Sequence, residues 1–128
     1  YRLDGSYYTV GGLTEKGRNA EELIIPYQVD GIYVKAFLPL VFFDHKNIKS
    51  VTVQKNIHTL SNGSFLGCDH LKQIVLRHSE PAEISVGYEL LTGAPQDCKI
   101  FVPKGALSRF ENNYFWGRYA KQLQGYEE

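Results

Sequence analysis

Ile57–Leu76 reads IHTLSNGSFLGCDHLKQIVL. Its apolar positions are Ile57, Leu60, Phe65, Cys68, Leu71, Ile74 and Leu76. The steps between them are 3, 5, 3, 3, 3 and 2, which match neither one long helix nor one alternating strand. Read in order, they predict a turn at Asn62-Gly63, a half-helical segment, a second turn and a short strand. A partial echo precedes this stretch. Ile48, Val51 and Val53 match Leu71, Ile74 and Leu76 at a separation of 23 residues, and Phe42 then falls opposite Phe65. Self-similarity at roughly 20–29 residues is the mark of stacked repeats, in which each unit buries its apolar face only against its neighbours.

Outward from this stretch, four strands are expected, near residues 22–25, 49–53, 72–76 and 99–102. Leu23/Ile25, Val51/Val53, Ile74/Leu76 and Ile100/Val102 point inward, and the last members lie 28, 23 and 26 residues apart. Those intervals are long enough for crossovers, so the strands should be parallel. Pro26 and Pro103 close the first and last strands. Asp30-Gly31 is a turn, Ile32–Phe43 an apolar return broken by Pro39, and His78–Asp97 an irregular return. The pattern predicts an α/β, β-rich repeat solenoid of the leucine-rich type. It has about four rungs, a short parallel sheet and a C-terminal helical cap. The whole of 1–128 is one domain: an N-terminal hairpin or cap over 1–19 (its strand or hairpin Tyr1–Leu13, then a loop Thr14–Asn19), repeats over 20–103 and the cap over 104–128. Leu107, Phe110 and Tyr114, then Trp116, Tyr119, Ala120 and Leu123, recur at helical spacing, and Asn112-Asn113 and Gly117 interrupt it, so two short helices or a kinked one are expected. Gln124–Glu128 is expected to fray.

Bulk properties narrow the classes. The chain has 128 residues, enough for a core that folds alone, and its 14 basic and 14 acidic residues cancel. Nothing in that balance points to nucleic acid or an anionic membrane. No apolar run approaches the roughly 18–20 residues of a membrane span, so insertion of this segment is not expected. The chain starts at Tyr1 and has no Met, as expected of a processed or trimmed segment. Its two cysteines, Cys68 and Cys98, form no C-x-x-C pair. Cys68 occupies an apolar slot and reads as a buried thiol, with a Cys68–Cys98 disulfide as the alternative.

The repeat resembles that of BspA-type (Treponema pallidum-type) bacterial leucine-rich repeat proteins. Ile57, Leu60, Gly63, Ser64, Phe65, Cys68, Leu71, Ile74 and Leu76 carry the likeness. ELIIPYQVDGIYV (Glu22–Val34) resembles an opening rung of that family, and CKIFVPKGAL followed by FENNYFWGRY resembles its terminal rung and end cap. The likeness covers most of residues 20–123. Two places depart from it: His45 stands where Cys or Asn would be, and VGYELLT (86–92) replaces the usual A-F-x-x-C element. The resemblance implies a secreted or cell-surface bacterial protein, non-enzymatic, that binds protein or adheres, with a host extracellular protein among the candidate ligands. A structural spacer or assembly unit in a larger surface protein is the alternative.

Candidate chemistry is sparse. His45, His58, His70 and His78 are scattered and read as surface or turn residues, without the three or four convergent ligands a metal needs. A Cys68–His70 nucleophilic dyad lacks an orienting group. Asp69 reads as a cap of the turn before Leu71. Glu80, Glu83 and Glu89 read as a solvated loop rather than an acid/base pair. Asn62-Gly63-Ser64 matches a glycosylation sequon and equally an Asn-Gly turn. No G-x-G-x-x-G, P-loop or G-x-S-x-G occurs, so no cofactor is implied. More informative are the outward strand positions, which stacking places in columns about 4.8 Å apart. One column is Ile24, Thr52, Val75 and Phe101; the flanking one is Glu22, Ser50, Gln73 and Lys99. The first is more apolar than solvation requires. It is a binding surface, or it is covered by a loop, another domain or a dimer mate, and self-association is among the expectations.

Overall fold

The computed structural model describes residues 2–4, 7–10, 21–26, 28–37, 42, 46–87 and 89–127, the segments before residue 21 by backbone alone. It shows a mixed α/β, strand-rich fold with parallel sheet and little helix. Strands β1 (Arg2–Asp4) and β2 (Tyr7–Val10) pair antiparallel. The loop expected at Thr14–Asn19, Pro39 and His45 lie outside the described residues.

One sheet joins β3 (Glu22–Ile24), β6 (Ser50–Val53), β8 (Gln73–Leu76) and β10 (Lys99–Pro103), side by side in chain order and all parallel. All four lie within a residue or two of the positions expected, a difference no larger than the usual uncertainty of element ends. The ladder begins before the strands do: Lys49 N–H bonds to Glu21 O, Lys72 N–H to Lys49 O, and Lys99 N–H to Lys72 O. A second sheet forms on the returns. In it β2 is followed by β5 (Ile32–Phe37), β7 (Thr59–Leu60) and β9 (Ser85–Val86), again parallel. The short β4 (Gln28–Val29) folds back antiparallel on β5 through Asp30-Gly31, whose φ values of 51° and 80° are those of a tight hairpin turn.

The core lies between the two sheets. Val51, Val53, Ile74, Leu76, Ile100 and Val102 are all buried on the inner side, with Ile25 beside them and Leu23 half-buried. The half-helical reading of 62–71 holds as successive three-residue turns: Ser64 N–H bonds to Ser61 O, Leu66 to Gly63 O, Cys68 to Phe65 O and Leu71 to Cys68 O. Phe65 is completely buried and stacks on Phe42 at 5.7 Å between ring centroids, as the 23-residue offset requires. Phe37 meets both rings edge-on.

Irregular returns leave backbone carbonyls without ladder partners, and such groups are costly when buried. Side chains from the next pass of the chain satisfy them. Asn56 Nδ2 donates to Val34 O, Ser61 Oγ to Phe37 O, Cys68 Sγ to Phe42 O, and Gln122 Nε2 to Cys98 O.

The C-terminal segment breaks at Asn112-Asn113 as expected, but its pieces are shorter than the spacing predicts and its end is not helical. Lys104–Ala106 is one turn of 3-10 helix, α1 covers only Leu107–Glu111, and Trp116–Tyr119 is a second 3-10 turn. Phe110 and Trp116 are buried and meet edge-on at 5.9 Å, whereas Tyr114 and Ala120 are exposed. Asn113 Oδ1 stops the helix by accepting from the N–H groups of Phe115 and Trp116. Leu123 is not helical and Gln124–Tyr126 does not fray. Leu123–Tyr126 is strand β11, which pairs parallel with β10. The physical reason is the free edge of β10: its unpaired N–H and C=O groups favour another strand over a marginal final helical turn.

Candidate functional site

The candidate site is the outer face of the β3–β6–β8–β10 sheet. Its lateral register runs Glu22–Ser50–Gln73–Lys99 and Ile24–Thr52–Val75–Phe101, so each expected column forms a continuous row. β11 extends the second row, with Gln124 beside Phe101.

Exposure along the rows is uneven. Ile24, on the outermost of these four strands, is 58% exposed, while Val75 and Phe101 are half-buried. Thr52 is only 7% exposed and so is not the open position its alternation predicts. It lies between Ile24 and Val75 in the register of its row, on one of the sheet's inner strands. Glu22 is exposed and Lys99 half-buried, and neither has an ion-pair partner among the described residues. Ser50 and Gln73 are tied together, Gln73 Nε2 donating to Ser50 Oγ at 3.0 Å. At the strand ends, Arg77 lies 5.3 Å from the Tyr126 ring, and Tyr126 Oη donates to Leu76 O.

The nucleophile and acid/base candidates take structural places. Cys68 and Cys98 are buried free thiols, and burial pushes the Cys98 thiol up to about 12. The Asp69 carboxylate does not cap Leu71, whose N–H goes to Cys68 O. It faces Lys46 Nζ at 3.1 Å and His70 Nδ1 at 3.2 Å, and the Lys46 hydrogen bond holds it below the usual carboxylate range. Its own backbone N–H also donates to it, with Lys46 the larger influence. Glu80 pairs with Arg109 at 3.2 Å, and Glu83 accepts the Glu80 N–H. Glu89 is exposed, at a φ of 55°. The sequon serine Ser64 is fully buried and donates to Ser61 O, so Asn62-Gly63 acts as a turn, with Gly63 at a φ of 61°.

His58 and His70 are exposed, as expected of surface histidines. His78 is not: it is completely buried, and its Nε2–H donates to Ile57 O at 2.7 Å, taking the same carbonyl-satisfying role as Cys68 one pass earlier. Its Nδ1 has no hydrogen-bond partner among the described residues, and desolvation lowers its pKa despite that bond and nearby Glu83. The neutral ring is therefore favoured in the fold. Between its folded value and the ordinary value of about 6.5, the unfolded chain binds more protons. Stability is thus complete above about pH 6.5 and declines as the pH falls from there through the folded value. Urea unfolding between pH 7.5 and 5 should register this decline, and His78→Gln should flatten it. An identical slope in both proteins would show that His78 does not contribute.

Two aromatics escaped the sequence reading. Tyr114, expected inward, is 89% exposed, and Tyr33 on β5 is 47% exposed. Tyr114 borders two adjoining clefts of about 370 and 290 Å³, together with Val86 and Phe115. The expected interruption at Asn112-Asn113 ends the helical register before Tyr114 and turns its ring outward. Among the described residues no helix is long and apolar enough to cross a membrane. No protein-family model matches the chain, and no curated protein matches it.

Proposed function

We propose that this chain is a leucine-rich solenoid of the BspA type, serving as a non-enzymatic protein-binding or adhesion module of a secreted or cell-surface bacterial protein. The fold part of this reading draws support from the chain-ordered parallel sheets and the 23-residue offset that stacks Phe42 on Phe65. The functional part is carried by one observation: the apolar row on the outer sheet face ends in exposed Ile24 and includes half-buried Val75 and Phe101. A partly exposed apolar row on a rigid sheet suits a protein partner. Its non-enzymatic character is supported by the buried thiols and by the placement of His78 beneath a backbone carbonyl.

Phe101 is the largest apolar member of the row, and aromatics at the centre of an interface dominate its energy. In a binding assay against immobilised host extracellular-matrix proteins, Phe101→Ala is expected to weaken the contact by about 2 kcal/mol while the fold is kept. Affinity indifferent to both Phe101→Ala and Val75→Asp would move the surface elsewhere. The burial of Thr52 reduces the apolar row and favours a second reading, a spacer or assembly unit in a larger surface protein. No binding to any matrix protein by the folded chain is the outcome expected of that role.

A further inference from the structure

The charges flanking the apolar row name a partner for this face. Rows on the sheet run straight across the strands, so Glu22 stands at one end of its row and Lys99 at the other. In the parallel row beside them Ile24 stands next to Glu22 and Phe101 next to Lys99, with Gln124 of β11 beyond Phe101. Neither Glu22 nor Lys99 is ion-paired among the described residues, whereas Glu21, one residue away, is held by Lys49 at 3.1 Å. The row is thus acidic at the β3 end, uncharged in the middle and basic at the β10 end. Such a pattern is complementary to itself when reversed.

We infer that a second copy of this chain docks face to face on this sheet, about a two-fold axis that runs along the strands between β6 and β8. The inference rests on the proposed reading of this face as a binding surface and assigns it a partner. Rotation about that axis reverses the strand order and keeps the strand direction. It sets Glu22 opposite the second copy's Lys99, and Lys99 opposite its Glu22. Ile24 then meets Phe101, the apolar contact at each end, and Val75 lies over the buried Thr52, across about 10 Å between sheets. The strands of the two copies stay near-aligned, the ordinary way for twisted sheets to stack. A two-fold axis across the strands is disfavoured. It would lay each strand over its own copy, with Glu22 facing the acidic end and Lys99 the basic end. One interface therefore contains the charge pair twice, as an isologous contact requires. The overlap of the four strands β3, β6, β8 and β10 is small beside the roughly 800 Å² per partner of stable complexes, so the dimer has about micromolar or weaker affinity. Because the charges lie at the rim, salt weakens it further.

The test is sedimentation of the full chain from about 10 µM to 1 mM, with circular dichroism to verify the fold of each variant. The wild type should dimerise with rising concentration. Glu22→Lys alone places like charges at both rim contacts, and so does Lys99→Glu alone. Each should lower the association constant at least tenfold. The two single variants mixed in equal amounts should dimerise with each other, because both contacts then become opposite-charge pairs. The double variant Glu22→Lys/Lys99→Glu should dimerise alone. A monomer at every concentration overturns the proposal, as does a dimer indifferent to the single changes. Single changes that abolish association without rescue by mixing also overturn it, since the two-fold pairing demands rescue. A monomeric wild type whose matrix-protein binding still falls with Phe101→Ala overturns the dimer and leaves the binding face standing. A dimer that obeys the swap, with matrix-protein binding indifferent to Phe101→Ala and Val75→Asp, upholds the dimer and overturns the adhesive reading.

Discussion

Phe65→Ala is expected to destabilise the fold by about 3–5 kcal/mol, close to the largest loss a single truncation in a core produces. Phe65 has no solvent exposure, stacks on Phe42 and meets Phe37 edge-on. Leu60, Leu71 and Ile74 are buried in the same cluster. The segment that carries it cannot collapse into the cavity, because both sides are tied to neighbouring passes. Phe42 N–H bonds to Ser64 O, Phe65 N–H to Leu90 O, and Cys68 Sγ to Phe42 O. The lost transfer energy and the unfilled cavity therefore add. Chemical unfolding should show a lower midpoint with an unchanged slope, and a fall in melting temperature of roughly 10–20 °C. Phe65→Leu retains most of the volume and should cost far less. A loss below about 1 kcal/mol for Phe65→Ala would mean that the ring does not sit between passes of the chain.

What was legible in the sequence follows from which interactions are local. Parallel strands buried on an inner face need branched apolar residues at alternate positions, and Val51/Val53, Ile74/Leu76 and Ile100/Val102 carry that requirement without tertiary information. Their offsets then dictate register, and with it both outward rows. Exposure within a row was not legible, because it depends on surroundings that alternation along one strand does not encode: Thr52 is 7% exposed while Ile24 in the same row is 58% exposed. His78 was misread for a related reason. Its burial answers the Ile57 carbonyl 21 residues earlier, and no local pattern around His78 announces that demand. The pairing of Asp69 with Lys46, 23 residues away, was equally beyond any local pattern. The clearest failure, Leu123, had the right apolar spacing for a helix, but the edge of β10 offered a ladder of hydrogen bonds that a single last helical turn cannot equal.

That same edge makes removal of residues 105–128 the most damaging change expected. Ala106, Phe110, Trp116 and Leu123 are buried members of the single core cluster, with Leu107, Phe115 and Tyr119 packed against it. Burial of a large apolar side chain stabilises by about 1.5–3 kcal/mol, so three such groups and an alanine amount to roughly 5–9 kcal/mol. This is comparable to the whole stability of an ordinary domain, about 5–15 kcal/mol. The truncation also uncovers β10 along its length, including the Ile100 N–H that now bonds to Gln122 O at 2.8 Å. An apolar strand with a free edge recruits strands from other molecules. A chain ending at Lys104 should therefore lose its cooperative thermal transition and aggregate, with dye-detectable exposed apolar surface. Removing only residues 123–128 separates the two contributions. It deletes β11 and leaves Phe110 and Trp116 in place, so it should retain a transition at lower temperature while gaining the tendency to associate through β10. If the chain ending at Lys104 stays soluble and unfolds cooperatively, the C-terminal segment is an appendage, and the core closes on β10 without it.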